Sequence, residues 1–505
     1  MPLLISLAAV LTVFFIQGRD GLNLGDEGFL WYGVQRVLLG EVPKLDFKAY
    51  DPGRYYWAAT YMKLVGDNGI IALRQAVAIF QWLGLFVGLF LINSGGKQRN
   101  LLFLSVATVI LLTWMLPRHK LFDISLSIFM VGALTALVRN PSTRRYFLVG
   151  LCVGLTAVFG RNHGVYGAFG SLAVMLWLNL KSWKDRKTYK AFAFWGTGVA
   201  LGYLPILLML LLIPGFFDQF WANLLHQASR GGTNLKLPVP WPWLVDFSWV
   251  YSFQALRNFI IGSFFLAIII APLLMTIWIF WQRFRERPVS AGLVAAAPLA
   301  LIYAHFAFSR ADINHLAQGI FPFLLGCLLL LSAAKPKVKW PLAALLCGLS
   351  LVATLPAQPG WACLDSRQCV DVEISGQTLK VTHSTAKNIA LLQGLARQFA
   401  PNGQSFVVTP LWPGAYPLLQ RKSPMWTIYA LWARGPAFDR AEIERIKAAD
   451  PGFALVIDIA VDGRDDLRFK NTHPLINQYF IDHYVLVDHN YGPAFKIYRR
   501  RETGQ

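Results

Sequence analysis

The chain has 505 residues, 55% of them hydrophobic and only 15% charged, with 47 Lys and Arg against 27 Asp and Glu for a formal net charge of +20. Its mean hydropathy is +0.45, and apolar runs about as long as the ~20 residues a bilayer core demands recur along it, which excludes a soluble globular protein. The positive balance does not point to nucleic acid: residues 1–356 hold 30 basic and 13 acidic groups, with the surplus in short loops that suit anionic lipid head groups, and the remainder holds 17 basic and 14 acidic groups.

In chain order, hydropathy predicts a polytopic α-helical membrane protein of about eleven transmembrane helices, near 2–17, 70–92, 100–116, 121–138, 146–160, 164–180, 192–213, 257–281, 289–308, 316–333 and 340–356. The first has no basic n-region and no small-residue cleavage site, so it reads as a retained anchor. The loops 93–99, 139–145, 181–191, 282–288 and 335–339 hold sixteen Lys and Arg against two acids, Asp185 and Glu286, and each follows an even-numbered span. Positive-inside asymmetry makes those loops cytoplasmic, so the N-terminus is expected inside and the C-terminus outside. Residues 1–356 are then a transmembrane domain with its first outer loop at 18–69, and 357–505 an extracytoplasmic domain.

That last region changes character. Short β-rich runs at 377–383, 405–409, 453–459, 484–488 and 494–498 alternate with helical patterns near 385–399, 439–449 and 474–482, which predicts a C-terminal α/β domain. Its long connection, 410–436, is rich in Pro, Trp and Tyr, and such a loop commonly caps a site. Cys152, Cys327 and Cys347 fall in spans, whereas Cys363 and Cys369 lie in the outward tail, where an oxidising compartment joins them as a disulfide and two free thiols are the alternative. No internal repeat, P-loop or GxGxxG element supports a nucleotide-driven pump.

Acidic residues are concentrated in the first outer loop. Asp20, Asp26, Glu27, Glu41, Asp46, Asp51 and Asp67 lie there, against six acids in the whole of 70–356. Cations recur at membrane-boundary positions on the same predicted side: Arg118, His119 and Lys120; Arg161 and His163; and Arg310 with Asp312 and His315. Ionisable groups at that depth face a cavity or one another, and a pocket for a lipid phosphate would use Arg for bidentate contact. Snorkelling to head groups is the plain alternative for each. Asp312 and His315 stand at i and i+3 of a helix starting there, with Arg310 folding back as partner or phosphate ligand. The loop 227–234, followed by Pro238, Pro240, Trp241, Pro242 and Trp243, reads as an interfacial aromatic belt, with a lid or polyprenyl entry as the alternative.

The ordered set Gly25-Asp26-Glu27-Gly28, then Gly40, Pro43 and Asp46-Phe47, then Pro52-Gly53 with Tyr55-Tyr56, resembles the first outer loop of the GT-C class of membrane glycosyltransferases, near its protein O-mannosyltransferase and aminoarabinose-transferase branch. The motif covers about the first 90 residues, and the rest is similar only in architecture. The second outer loop, where the metal-dependent oligosaccharyltransferase branch carries an acidic motif, is mainly cationic here, from Pro117 to Asp123. The resemblance implies a GT-C-like fold, a polyprenyl-phosphate-linked sugar donor, an extracytoplasmic acceptor and inversion at the anomeric carbon. It places Asp26 as the base and Glu27 as its orienting partner, or the two together on a divalent cation, with Asp51 and Arg54 in support. Arg310, His315, Arg161, His163, Arg118 and Lys120 are the expected phosphate ligands.

Glycosyl transfer chemistry agrees, since an acceptor hydroxyl must lose a proton while charge builds on the departing phosphate. The alternative for the acidic pair is a mere helix cap near Gly28. The expected location is a bacterial inner membrane with the C-terminal domain in the periplasm. A lipid flippase predicts matching interrupted helices in two halves, an O-antigen-ligase-like enzyme centres on a late outer loop, and neither explains the acidic first loop.

Overall fold

The computed structural model describes residues 1–95, 100–230, 234–246 and 252–501. Its helices are α1 (Pro2–Gln17), α2 (Asp26–Leu38), α3 (Gly53–Val65), α4 (Ile70–Gly95), α5 (Leu101–Trp114), α6 (Leu121–Arg139), α7 (Thr143–Phe159), α8 (Arg161–Leu178), α9 (Arg186–Gly202), α10 (Leu204–Leu212), α11 (Phe216–Ser229), α12 (Phe253–Phe284), α13 (Ala291–Ser309), α14 (Ile313–Gly319), α15 (Phe321–Ala333), α16 (Pro336–Thr354), α17 (His383–Phe399), α18 (Ala415–Leu418), α19 (Pro436–Ala449), α20 (Phe469–Thr472) and α21 (Pro474–His483).

A helix occupies each of the eleven hydropathic ranges. Among the described residues five helical stretches, around α4, α6, α12, α13 and α16, are long and apolar enough to cross a membrane, and seven if the bent pairs α9/α10 (53°) and α14/α15 (57°) each count as one span. Both bends fall where a proline opens the following helix, Pro205 and Pro322; proline has no N–H to give and its ring clashes with the preceding turn. Helices α1 and α5 are apolar but only 16 and 14 residues long.

The chain divides by packing into two compact units. The first, Met1–Gly18, Arg74–Pro214 and Gln227–Trp361, is helical. Its tightest pairing, α7 against α9, rests on two glycine pairs at four-residue spacing. A Cβ at Gly150 would stand 2.0 Å from the Trp195 carbonyl and one at Gly154 2.3 Å from that of Val199; one at Gly198 would stand 2.2 Å from the Phe147 carbonyl and one at Gly202 2.4 Å from that of Leu151. The helices meet backbone to backbone, as small-xxx-small seams allow where no hydrophobic effect separates helix from lipid.

The second unit comprises Arg19–Leu73, Gly215–His226 and Ala362–Gln505. In it, β1 (Cys369–Ile374) and β2 (Gln377–Thr382) form an antiparallel hairpin, turned through Ser375 and Gly376, both at positive φ as a two-residue hairpin loop requires. Four further strands, β3 (Val407–Thr409), β4 (Phe453–Ile457), β5 (Tyr484–Leu486) and β6 (Phe495–Arg500), form a sheet of order β3-β4-β6-β5, parallel only between β3 and β4. β4 is buried along its whole length, and Val407, Ala454, Val456, Phe469, Ile476 and Phe480 form the core around it. The expected strands are present with slightly different ends, and β1 is additional. A disulfide joins Cys363 to Cys369 at the hairpin's base. The residues after α1 extend the hairpin: Gly21 N–H donates to the Lys380 carbonyl (2.8 Å) and Lys380 N–H to that of Arg19 (3.0 Å).

Candidate functional site

Within the second unit the acids of the first loop are almost all committed. Glu41 accepts from Arg36 Nε (2.9 Å) and pairs with Lys422 Nζ (2.7 Å); burial alone would push its carboxyl up, but these two cations outweigh burial and hold it below the usual range. Asp46 accepts the Val42 N–H at 2.7 Å. Asp51 pairs with Lys44 at 3.0 Å, and Asp67 accepts from Gly69 N–H (2.8 Å) and Gln377 Nε2 (2.7 Å). Glu27, 4% exposed, accepts the Asn23 N–H at 3.4 Å. Among the described residues, no hydrogen bond or ion pair engages the Asp26 carboxylate.

The start of α2 explains why. The helix begins at Asp26 itself, two residues before the Gly28 expected from sequence, so Asp26 and Glu27 sit in its first turn, where the exposed N–H groups favour negative charge. Capping falls to Asn23, whose Oδ1 accepts from Gly25 N–H (2.8 Å) and Asp26 N–H (3.0 Å). Gly28 lies on the Trp412–Gly414 turn, and the Gly414 N–H donates to the Leu24 carbonyl at 2.8 Å. Trp412 holds a left-handed φ of 64°, a conformation that bulky residues keep only where the surroundings enforce it.

The 410–436 connection thus packs on the acidic loop. Trp426 Nε1 donates to the Leu45 carbonyl (2.9 Å), Lys48 Nζ to that of Tyr429 (2.6 Å), and the Ser423 N–H to the Tyr32 hydroxyl (3.1 Å).

Aromatic rings surround the helix start. Tyr50 meets Phe29 edge-on at 4.8 Å, and Tyr429 lies 5.8 Å from the same ring. Arg54, 3% exposed, stacks its guanidinium over Tyr50 at 4.8 Å, a cation–π contact. Burial and then the charge of Asp26 push the Tyr50 phenol well above its ordinary value, so it remains a donor at neutral pH. His473, fully buried and stacked on Phe469 at 5.2 Å, is pushed down to about 3 by burial, then by Lys48 and Arg434; it is a neutral core histidine.

The predicted cations lie in the helical unit. Arg118 NH1 donates to the Gln17 carbonyl at the end of α1 (2.9 Å), and Lys120 Nζ stands 4.0 Å from Asp123. Arg161 opens α8 and donates to Gln227 Oε1 (3.2 Å). His163, 2% exposed, bridges Asp123 (3.3 Å) and the Tyr303 hydroxyl (3.3 Å). Arg310 donates through Nε to Asp312 (2.8 Å) and through NH1 to the Leu235 carbonyl (3.2 Å). Asp312 also accepts the His315 backbone N–H (2.9 Å) and contacts its Nδ1 (2.8 Å). The set Arg310, Asp312, His315 is therefore brought together around the carboxylate, which caps α14.

Of the suggested lid, 231–233 lie outside the described residues; beyond them Trp241 and Trp243 stack at 5.2 Å, with Trp241 against Phe308 at 5.9 Å. Among the described residues no group of three or more His, Cys, Asp or Glu side chains could hold a metal ion, and Asp26 and Glu27 alone do not make such a donor set.

Sequence reasoning missed Asn23, Tyr50, Tyr429 and the Trp412–Gly414 turn. An Asn three residues before an acidic pair is a capping signal that was readable; contacts from residues near 412 and 429 were not.

No family model and no curated protein sequence matches the chain. Among solved structures it is similar to ArnT from Cupriavidus metallidurans bound to undecaprenyl phosphate, with a TM-score of 0.57 at 12% identity, covering 99% of this chain and 98% of that one. The apo state of the same protein gives 0.58 at 13% identity over 98% and 97%. The Archaeoglobus fulgidus oligosaccharyltransferase AglB, in complex with an inhibitory peptide and a dolichol-phosphate, gives 0.50 at 12% identity over 100% of this chain and 74% of that one. At such identities the likeness is one of architecture, and the architecture of this chain, a polytopic helical unit with a C-terminal α/β region, is the GT-C fold of membrane glycosyltransferases.

Proposed function

We propose that this protein is an inverting glycosyltransferase that takes a sugar from a polyprenyl-phosphate-linked donor and passes it to an extracytoplasmic acceptor: a protein hydroxyl, another lipid or a cell-surface glycan. The fold supports a transferase of this class, and the two similar proteins were solved with undecaprenyl phosphate and with dolichol-phosphate. The reading rests above all on Asp26. In a loop whose other acids have partners, its carboxylate is held at the first turn of a helix with no hydrogen bond or ion pair from any described residue.

In a single displacement the acceptor O–H gives its proton to Asp26 while the acceptor oxygen attacks the anomeric carbon. The bond from that carbon to the phosphate oxygen breaks, and the lipid phosphate leaves with the electron pair. Glu27, buried beside the base, fixes the turn that carries it. Arg310 and His315, with Arg161, are the groups proposed to meet the charge on the phosphate. The proposed setting is a bacterial inner membrane with residues 357–505 in the periplasm.

The test is transfer from polyprenyl-phosphate-linked sugars by purified protein, followed by mass spectrometry of the product. Asp26→Asn keeps the shape and removes the basicity, so transfer is expected to fall at least about a hundredfold with donor binding retained. Near-normal transfer by that variant would sink the assignment and leave Glu27 and Asp51 to be tried.

A further inference from the structure

We propose that Asn23 is a positioning residue: it satisfies the N-terminus of α2 in place of Asp26 and so delivers the Asp26 carboxylate to substrate with neither oxygen spent. The inference rests on the reading of Asp26 as the base.

A helix start exposes several N–H groups, and an acidic residue in the first turn is ordinarily drawn onto them. Here the N–H groups of Gly25, Asp26, Gly28 and Phe29 are taken by other groups. Gly25 N–H and Asp26 N–H donate to Asn23 Oδ1 at 2.8 and 3.0 Å. The Gly28 N–H donates to the Asn23 backbone carbonyl at 2.9 Å, and the Phe29 N–H donates to the carbonyl of Gly25 at 2.8 Å. The Asn23 N–H in turn donates to Glu27 Oε2 at 3.4 Å, which turns the second carboxylate back toward residue 23. One side chain and two backbone groups of Asn23 therefore bracket residues 25–28 from both sides of Asp26. The Trp412–Gly414 turn closes against the same segment through the Gly414 N–H and Leu24 carbonyl, 2.8 Å apart.

Asparagine suits this task better than its usual capping equivalents. Its amide oxygen accepts two N–H groups while carrying no charge, whereas aspartate would cap as well but put a third carboxylate in the same turn and raise the proton affinity of its neighbour. Alanine would leave the Gly25 and Asp26 donors open, and the Asp26 carboxylate would fold back onto them.

Three variants and two measurements test this. In Asn23→Ala, kcat for transfer is expected to fall about tenfold with the donor KM changed less than twofold. Asn23→Ser, with a hydroxyl acceptor, should recover part of that loss. Asn23→Asp should keep most of kcat but move the acidic limb of the pH–rate profile to higher pH.

Alongside, modification of Asp26 by a water-soluble carbodiimide, followed by mass spectrometry, reads the state of the carboxylate whatever the reaction is. Asn23→Ala should label more slowly than the parent at the same pH. Unaltered labelling, or kcat per folded molecule within twofold of the parent together with a lowered melting temperature, would overturn the proposal and make Asn23 a structural cap. A parent protein that transfers no sugar but shows the labelling difference would retain the bracket and reject the glycosyl-transfer reading.

Discussion

Gly28 and Gly414 meet so closely that a Cβ on Gly28 would stand 2.4 Å from the Gly414 Cα and 2.5 Å from its nitrogen. The first residue follows the acidic pair and the second lies in the 410–436 connection, so the C-terminal region is packed directly against the helix that carries Asp26. Backbone on both sides leaves no flexible side chain to give way. Gly28→Ala is therefore expected to destabilise the unit by about 1–3 kcal/mol through overpacking, and to lower transfer more than an alanine at an open glycine such as Gly394. Thermal unfolding and specific activity of the two variants check this; equal behaviour would mean that the turn is free to move away.

Arg310 is predicted to serve the donor phosphate as well as Asp312. If so, Arg310→Ala should cost about 2–4 kcal/mol of transition-state stabilisation, and adding Asp312→Asn should not restore it. If the arginine only neutralises Asp312, the double variant should recover transfer, because the carboxylate left without its partner is then removed. A double-mutant cycle on donor affinity and turnover separates the two outcomes.

A pH-dependent stability term is expected from Asp439 on α19. The residue is 1% exposed, and burial pushes its carboxyl up to about 6 against the pull of the Leu475 and Ile476 backbone groups at the start of α21. Because the folded-state value is raised above the unfolded one, the folded chain binds more protons between roughly pH 4 and 6, and stability falls as pH rises through that window. Asp439→Asn removes the ionisation. Its unfolding free energy relative to the parent should be more favourable at pH 7 than at pH 4 by about 1–3 kcal/mol; a difference independent of pH would refute the burial argument.

Loop charge predicts that the C-terminal region faces outward. A reporter fused after Gln505 should be active only outside the cytoplasm, and the Cys363–Cys369 pair should appear as a linked peptide under non-reducing digestion. Cytoplasmic activity of the reporter, with both thiols alkylated before reduction, would reverse the orientation.

Much of this molecule was legible along the chain. Hydropathy located a helix at every expected range because a backbone in lipid must satisfy its own hydrogen bonds, so apolar length maps directly onto helices. Short β-rich runs marked five of the six strands found among the described residues, and the helix that the capping alternative set near Gly28 is α2, which starts at Asp26. The GlyxxxGly pairs of α7 and α9 were also written in the sequence, but spacing becomes a contact only when the partner helix is known.

Tertiary structure alone decided which acid is uncommitted. Asp67 finds Gln377, Lys48 finds the Tyr429 carbonyl, and Glu41 finds Lys422 across more than 300 residues of chain, and no local pattern encodes such partners. His163 is bridged between Asp123 and Tyr303, a pairing that no sequence spacing showed, whereas Arg310 and His315 converge on Asp312 as the local spacing anticipated. Residue type and local spacing determine helices, strands and charge; the engagement of a carboxylate or cation depends on which distant donor reaches it, and that is fixed only when the chain has packed.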